Sequence, residues 1–353
     1  MAQFGDHFPE MALAGLKIDP LSEIRNAGIV TNGSVMWVRG VGDSDFTAFK
    51  DAVGAANLRE DIQGGIDALR NDKNDYVMVV PRDGGSVWAL GTAVDVNKNR
   101  LHMLSVGYTR AMHGFSNTLQ GYVAASGIDT SIVDVTGAGV ELGGFEIRGT
   151  SGTAAGGTIS GGFLRLGTAS TGTAHGAWVH DVKIENTQAA AAGGTTVLVA
   201  FDGNVPTGIR GVRFDRSWIG DWSWAPTPML DFGAGTAGPA RTEFVDCTFV
   251  MDAQATTDGF VTLGTGVTEY TSFERCKFVN VEAGTAPASA VTGAILVDNP
   301  AVLIDCTAVN VTAFGTDTEL LVVPNDTKPG GTSVGAYNPR IGFIGTTGIV
   351  VGV

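Results

Sequence analysis

The chain has 353 residues, of which 44% are apolar and 16% charged, a balance that buries a large core and excludes a disordered protein. A formal net charge of -14 excludes a sequence-independent grip on phosphate backbones, so nucleic acid is not an expected partner. Glycine, at 51 residues, is about twice as frequent as usual, which favours many turns over long helices.

Residues 1–20 lack the basic start and continuous apolar block of a secretory signal, and no window approaches the roughly 18 apolar residues of a membrane span. The expectation is a protein made in the cytoplasm, with no membrane partner. Phe4, Phe8, Leu13 and Leu16 open an apolar stretch interrupted by Pro9 and Pro20, so it cannot form one long helix and suits ordering against a partner. Ile62, Ile66 and Leu69 recur at helical spacing and predict a short helix, broken from Asn71 onward before a strand that starts at Tyr76. The glycines of residues 149–162 have neither P-loop nor dinucleotide spacing and read as a loop.

Further along, one phrase recurs. FVDCTFVMD from Phe244 returns as FERCKFVNV from Phe273 and LIDCTAVNV from Leu303, placing Cys247, Cys276 and Cys306 at intervals of 29 and 30. Val182 and Ser217 fall in the cysteine column at steps of 35 and 30, while LGGFEI from Leu142 and LHMLSV from Leu101 extend it at 37 and 41. Each period holds another apolar strand, beginning near Phe163, Val197, Met229, Phe260 and Ala294. Short strands in units of about 30 residues predict an all-β fold, a right-handed parallel β-helix (a solenoid) with the 60–72 segment as its N-terminal capping helix. Equivalent residues then stack about 4.8 Å apart, so each coil must present the same shape to the next.

The cysteines are expected to form an internal ladder with Phe249 and Phe278 beside it. Their odd number and their spacing indicate neither a disulfide framework nor a zinc site, and no metal or cofactor is expected. The preceding column reads Asp181, Arg216, Asp246, Arg275, Asp305, alternating in sign, which relieves repulsion between stacked charges and opposes register slips. Two apolar surfaces stand out as partner-binding candidates. Trp218, Trp222 and Trp224 lie within seven residues, and the C-terminal stretch containing Ile349, Val350 and Val351 either closes the last coil or lies between subunits. The expected organisation is an attachment segment at residues 1–58, the β-helix at 59–312 and C-terminal apolar strands at 313–353.

The run Ile62-Gln63-Gly64-Gly65-Ile66-Asp67 resembles the I-Q-x-A-I-D capping helix of the pectin-lyase-like superfamily. Val80-Pro81 before Gly84-Gly85 is similar to its first strand and turn, and LHMLSVG from Leu101 to its v-x-L-x-G-x-G coil. Gly64 and Gly65 depart from the alanine expected there and imply a weaker cap. The resemblance covers residues 59–312 and implies the fold. Many members cleave polysaccharides, which brings forward Asp215 with Asp221 and Glu243 with Asp252 as carboxylate pairs for hydrolysis. The calcium-binding aspartates and adjacent base of a lyase are not identifiable, and His113, His175 and His180 read as hydrogen-bonded surface residues. With 36 acids placing neighbours on stacked coils by chance, no catalytic residue is assigned. Together with EIRNAGIVTNGS from Glu23, the chain is similar to structural proteins of tailed-bacteriophage virions. That resemblance implies a capsid decoration or cement protein on the capsid exterior, a homotrimer bound to the major capsid protein. A tail fibre or tailspike binding a host surface glycan is the alternative, and a polysaccharide lyase or hydrolase the third reading.

Overall fold

A computed structural model describes residues 33–83, 86–106, 118–123, 131–151, 162–167, 174–186, 197–201, 209–220, 229–232, 239–251, 260–263, 271–281, 295–297 and 301–309, and strands within 321–322, 342–345 and 348–351. Among these residues the strands form three sheets of 11, 10 and 7 members, called A, B and C here. From Val94 to Val309 each coil supplies one strand to C, then one to A, then one to B, and pairs in parallel with the coil before it. The chain is a parallel β-helix, as its repeat predicts.

The recurring phrase is a corner. Strand Thr242–Val245 belongs to sheet A and Thr248–Met251 to sheet B, with Asp246-Cys247 between them. The apolar strands of the second set, among them Leu164–Leu166, Val199–Phe201 and Val261–Leu263, build sheet C. Steps of 35, 30, 29 and 30 reappear as register between Trp178, Arg213, Glu243, Ser272 and Val302. The earliest step differs: His102 pairs with Glu141, 39 residues on, rather than at the expected 41.

Alternation decides which side chains face inward. On sheet A, Met103, Leu142, Val179, Phe214, Phe244, Phe273 and Leu303 are in register and buried. Phe214, Phe244 and Phe273 stack with centroids 4.8 and 4.9 Å apart, and Phe249 stacks on Phe278 at 4.9 Å. The two columns meet edge to face, Phe244 against Phe249 at 5.7 Å. The cysteine ladder is internal as expected: each thiol is buried and donates to a carbonyl of the preceding coil, Cys276 Sγ to Phe244 O at 3.4 Å and Cys306 Sγ to Phe273 O at 3.2 Å. Burial, reinforced by the thiols on either side, pushes the Cys276 thiol well up, so it is an inert packing group.

The alternating column has a second property. Asp181, Arg216, Asp246, Arg275 and Asp305 all adopt positive φ, between 48° and 55°, and Gly144 occupies the same position one coil earlier at 81°. The A-to-B corner requires a left-handed residue, a conformation that side chains other than Gly, Asn and Asp seldom adopt. Fork-shaped ion pairs offset that strain. Arg216 donates to both oxygens of Asp181 at 2.9 and 2.7 Å, and Arg275 to both of Asp246 at 2.7 and 2.9 Å.

Among the described residues two helices lie at the N-terminal end, and the second of them closes it. Helix α1, Phe46–Val53, lies on the outer face of sheet A, where Phe49 meets Trp37 edge to face at 5.6 Å. Helix α2, Ile62–Asp67, is the expected cap: Ile62, Ile66 and Leu69 fill the interior against Met36, Val38 and Val77. Its N-cap Asp61 accepts from Gly64 N at 2.6 Å. Gly65 does not weaken this cap by accident, since a Cβ there would sit 2.7 Å from Val38 Cγ2. Sheet A itself starts earlier than α2, because Val35–Val38 pairs with Tyr76–Val79 from inside the segment expected to be a separate attachment unit. At the other end Gly342–Gly345 extends sheet B and Gly348–Val351 pairs antiparallel with it, so the backbone of Ile349, Val350 and Val351 lies at the sheet edge.

Phe244→Ala removes the middle ring of the stack and is expected to cost about 3–5 kcal/mol. Cys276→Asp should cost several kcal/mol, whereas Cys276→Ser should be mild, since Ser217 fills the same column and bonds Asp215 O at 3.0 Å. Denaturant unfolding of the three variants checks this order; an Asp variant as stable as the Ser variant would contradict the register.

Candidate functional site

The outer face of sheet A carries the densest polar cluster. Its outward row runs His102, Glu141, Trp178, Arg213, Glu243, and a second row contributes His180 and Asp215. Glu141 is clasped by two imidazoles: one oxygen bonds His102 Nδ1 and the other His180 Nε2 at 2.9 Å. His102 also stacks on Tyr76 at 4.2 Å and reaches Asn74 at 3.1 Å. His180 Nδ1 bonds Asp181 at 2.9 Å, which joins this chain of groups to the Arg216 corner. Gly143 makes room for it, because a Cβ there would lie 2.4 Å from the His180 ring.

The electrostatics follow from this geometry. Burial favours neutral Glu141, but the bonds and charges of both imidazoles outweigh it and hold the carboxyl down at about 2. Burial likewise pulls His180 down, and bonds to Asp181 and Glu141 reverse this and carry it up to about 9. His180 is therefore a fixed cation at neutral pH. Beside it, Trp178 donates Nε1–H to Asp215 at 2.7 Å, and Arg213 Nε donates to the same oxygen at 2.8 Å.

Sheet B carries a second cluster. Glu146 pairs in register with Lys183, and Arg148 with Glu185, bringing two carboxylates together on adjacent coils. Both are nearly buried, 5% and 7% exposed, and they share a hydrogen bond. Thr118 Oγ1 donates to Glu146 at 2.5 Å, Arg148 reaches Glu146 at 2.6 Å and Glu185 at 3.1 Å, and Lys183 lies 2.5 Å from Glu185. Two carboxylates this close cannot both ionise freely. Burial and the bond to Glu146 push Glu185 up to about 7, while bonds from Glu185, Thr118 and Arg148 overcome burial to hold Glu146 at about 2.

The sequence-derived candidates fare unequally. Asp215 does not stand free for hydrolysis: it anchors Trp178 and Arg213. Glu243 is bonded to Arg213 at 3.2 Å, and His175 accepts from Arg210 N at 3.1 Å. His180 is far more engaged than a surface histidine. Trp218 is half-buried along the sheet B row and donates Nε1–H to Gly220 O at 3.0 Å. Phe4, Phe8, Leu13, Leu16, His113, Asp221, Trp222, Trp224 and Asp252 lie outside the described residues. The alignment that stacks the cysteines also stacks Glu146 with Lys183, so that pair was readable from the outward columns. The His102 to Glu141 contact was not, because its step is offset by two residues. Among the described residues no group of three or more His, Cys, Asp or Glu side chains is arranged to hold a metal ion.

These features define a parallel β-helix protein with ion-paired outer faces. No protein-family model matches the chain, and no curated protein does. Among solved structures it is similar to the pectin methylesterase of Aspergillus niger, with 11% identity over 83% of this chain and 81% of that one and a TM-score of 0.44. It is also similar to the pectin methylesterase PemA of Erwinia chrysanthemi, with 11% identity over 82% and 81% and a TM-score of 0.42. ORF18 of Geobacillus virus E2 aligns at 13% identity with a TM-score of 0.46, over 84% of this chain and 52% of that chain, so the protein spans about half the length of the viral one.

The Glu146–Glu185 pair gives a pH dependence of defined sign. Glu185 is raised in the folded state from the ordinary 4.5 to about 7, so its contribution is complete below about 4.5 and is lost as pH rises through 7. His180, raised to about 9, adds a loss that begins above 6.5, so a comparison of variants isolates the pair. Unfolding free energy of the wild type should fall between pH 5 and 8, and Glu185→Gln should flatten that fall, as read by denaturant titration at several pH values. An identical slope in the variant would show that Glu185 holds no proton in the folded state.

Proposed function

We propose that the chain is a structural virion protein of a tailed bacteriophage, a capsid decoration or cement protein on the capsid exterior. The observation that carries this reading is the mutual neutralisation of the outer faces. Asp181 with Arg216, Asp246 with Arg275, Asp134 with Arg165 and Glu141 with two imidazoles each join one coil to the next. Such pairs stiffen a stack. The resemblance that the stretch from Glu23 carries to tailed-phage virion proteins is in keeping with this role. In this reading the protein is a homotrimer about a threefold axis, with residues 1–30 ordering against the major capsid protein and the coil stack projecting outward. A tail fibre or tailspike would share the stack but attach elsewhere.

One observation favours a second reading, a polysaccharide hydrolase. On adjacent coils the Glu146 carboxyl is held down and the Glu185 carboxyl pushed up, the direction of difference that an acid and base pair needs. Their near-complete burial and their clasp by Arg148, Lys183 and Thr118 weigh against it.

Light scattering should return a trimer for the intact protein, and deleting residues 1–30 should leave that trimer folded while abolishing attachment to capsids of the parent phage. A monomer, or undiminished capsid binding after the deletion, overturns the decoration role. Release of reducing ends from host polysaccharide, lost in Glu185→Gln, would instead establish the hydrolase.

A further inference from the structure

We infer that the outer face of sheet A holds a carbohydrate-binding platform, formed by Trp178, Arg213 and Glu243, that takes a pyranose ring of an uncharged hexose glycan. Trp178 is one of two large apolar side chains exposed among the described residues, at 39%, and it lies amid polar groups rather than on an apolar patch. Its position is held firmly. Nε1–H is bound to Asp215 at 2.7 Å, and the indole leans on the His180 ring with centroids 4.4 Å apart. With the N–H engaged inside the protein, the indole offers a ligand only its π surface, which suits the C–H face of a sugar.

The next two positions of the same row complete the recognition chemistry. Trp178 pairs in register with Arg213 and Arg213 with Glu243, so the three lie on consecutive coils about 4.8 Å apart. Arg213 directs Nε to Asp215 and Nη1 to Glu243 Oε2 at 3.2 Å. Among the described residues Nη2 of Arg213 and Oε1 of Glu243 carry no further hydrogen bond. A donor and an acceptor therefore stand side by side, next to an aromatic plate. Neighbouring hydroxyls of a pyranose, each both donor and acceptor, match that pair.

Charge selects the class of sugar. Arg213 is already balanced by Asp215 and Glu243, and the chain carries -14 overall, so an acidic polysaccharide meets no net positive field here. Asp215 is a positioning residue in this site: its Oδ2 accepts from both the indole N–H and the guanidinium and so fixes the ring and the fork together.

Titration of the full chain with maltohexaose, cellohexaose and mannohexaose, followed by tryptophan fluorescence and isothermal calorimetry, tests the platform. At least one hexaose is expected to bind, with Trp178→Ala weakening it by about tenfold or more, Trp178→Phe retaining most of the affinity, and Arg213→Ala and Glu243→Ala each weakening it. Should Trp178→Ala fail to fold, the Arg213 and Glu243 variants decide. Binding by none of the hexaoses, equal affinity in the folded variants, or tighter binding of polygalacturonate than of every hexaose would overturn the proposal.

Discussion

In-register stacking of coils is the constraint on which the rest of this molecule depends. Parallel pairing sets residue above equivalent residue at every level, so whatever one coil places at a position the next must tolerate at close range. Inside, tolerance is easy: flat phenylalanine rings and small thiols stack on their own kind. Outside, identical charges would repel, and the chain alternates Asp with Arg at the corner. The same residues carry the left-handed backbone that turns sheet A into sheet B, so one column serves turning, pairing and register together.

That constraint also explains how much of the fold the sequence displays. Cys247, Cys276 and Cys306 are legible because loop lengths in the C-terminal coils scarcely change, and the interval survives. Nearer the N-terminus the loops vary, and the true step from His102 to Glu141 is found only once strands are paired. Positive φ at Arg216 leaves no compositional trace, and Asp181 signals a left-handed corner far more weakly than glycine does at 144. Helix α1 escapes notice for a different reason: Phe49 and Val53 face sheet A, yet Gly54 cuts the pattern after two turns.

The polar clusters were less legible than the fold. Each is assembled from residues 28 to 39 positions apart that mean little singly, such as Glu141 between His102 and His180, or Thr118 against Glu146. Carboxylate pairs chosen from sequence by proximity, Asp215 among them, miss this because its partners are Arg213 on the same strand face and Trp178 on the adjacent coil, neither of them an acid. The productive signal is the outward column of the repeat alignment, one position away from the cysteines.

The corner ladder imposes an arithmetic on the lineage of this chain. Its charges pair coil with coil, Asp181 with Arg216 and Asp246 with Arg275, so acid and base must keep alternating along that edge. Loss or duplication of a single coil within the ladder would set aspartate on aspartate or arginine on arginine at a strained turn. Loss or duplication of two coils would leave the sequence of signs intact. A solenoid is commonly thought free to lengthen one unit at a time, but this one has parity: inside its charged ladder it grows or shrinks without penalty only by even numbers.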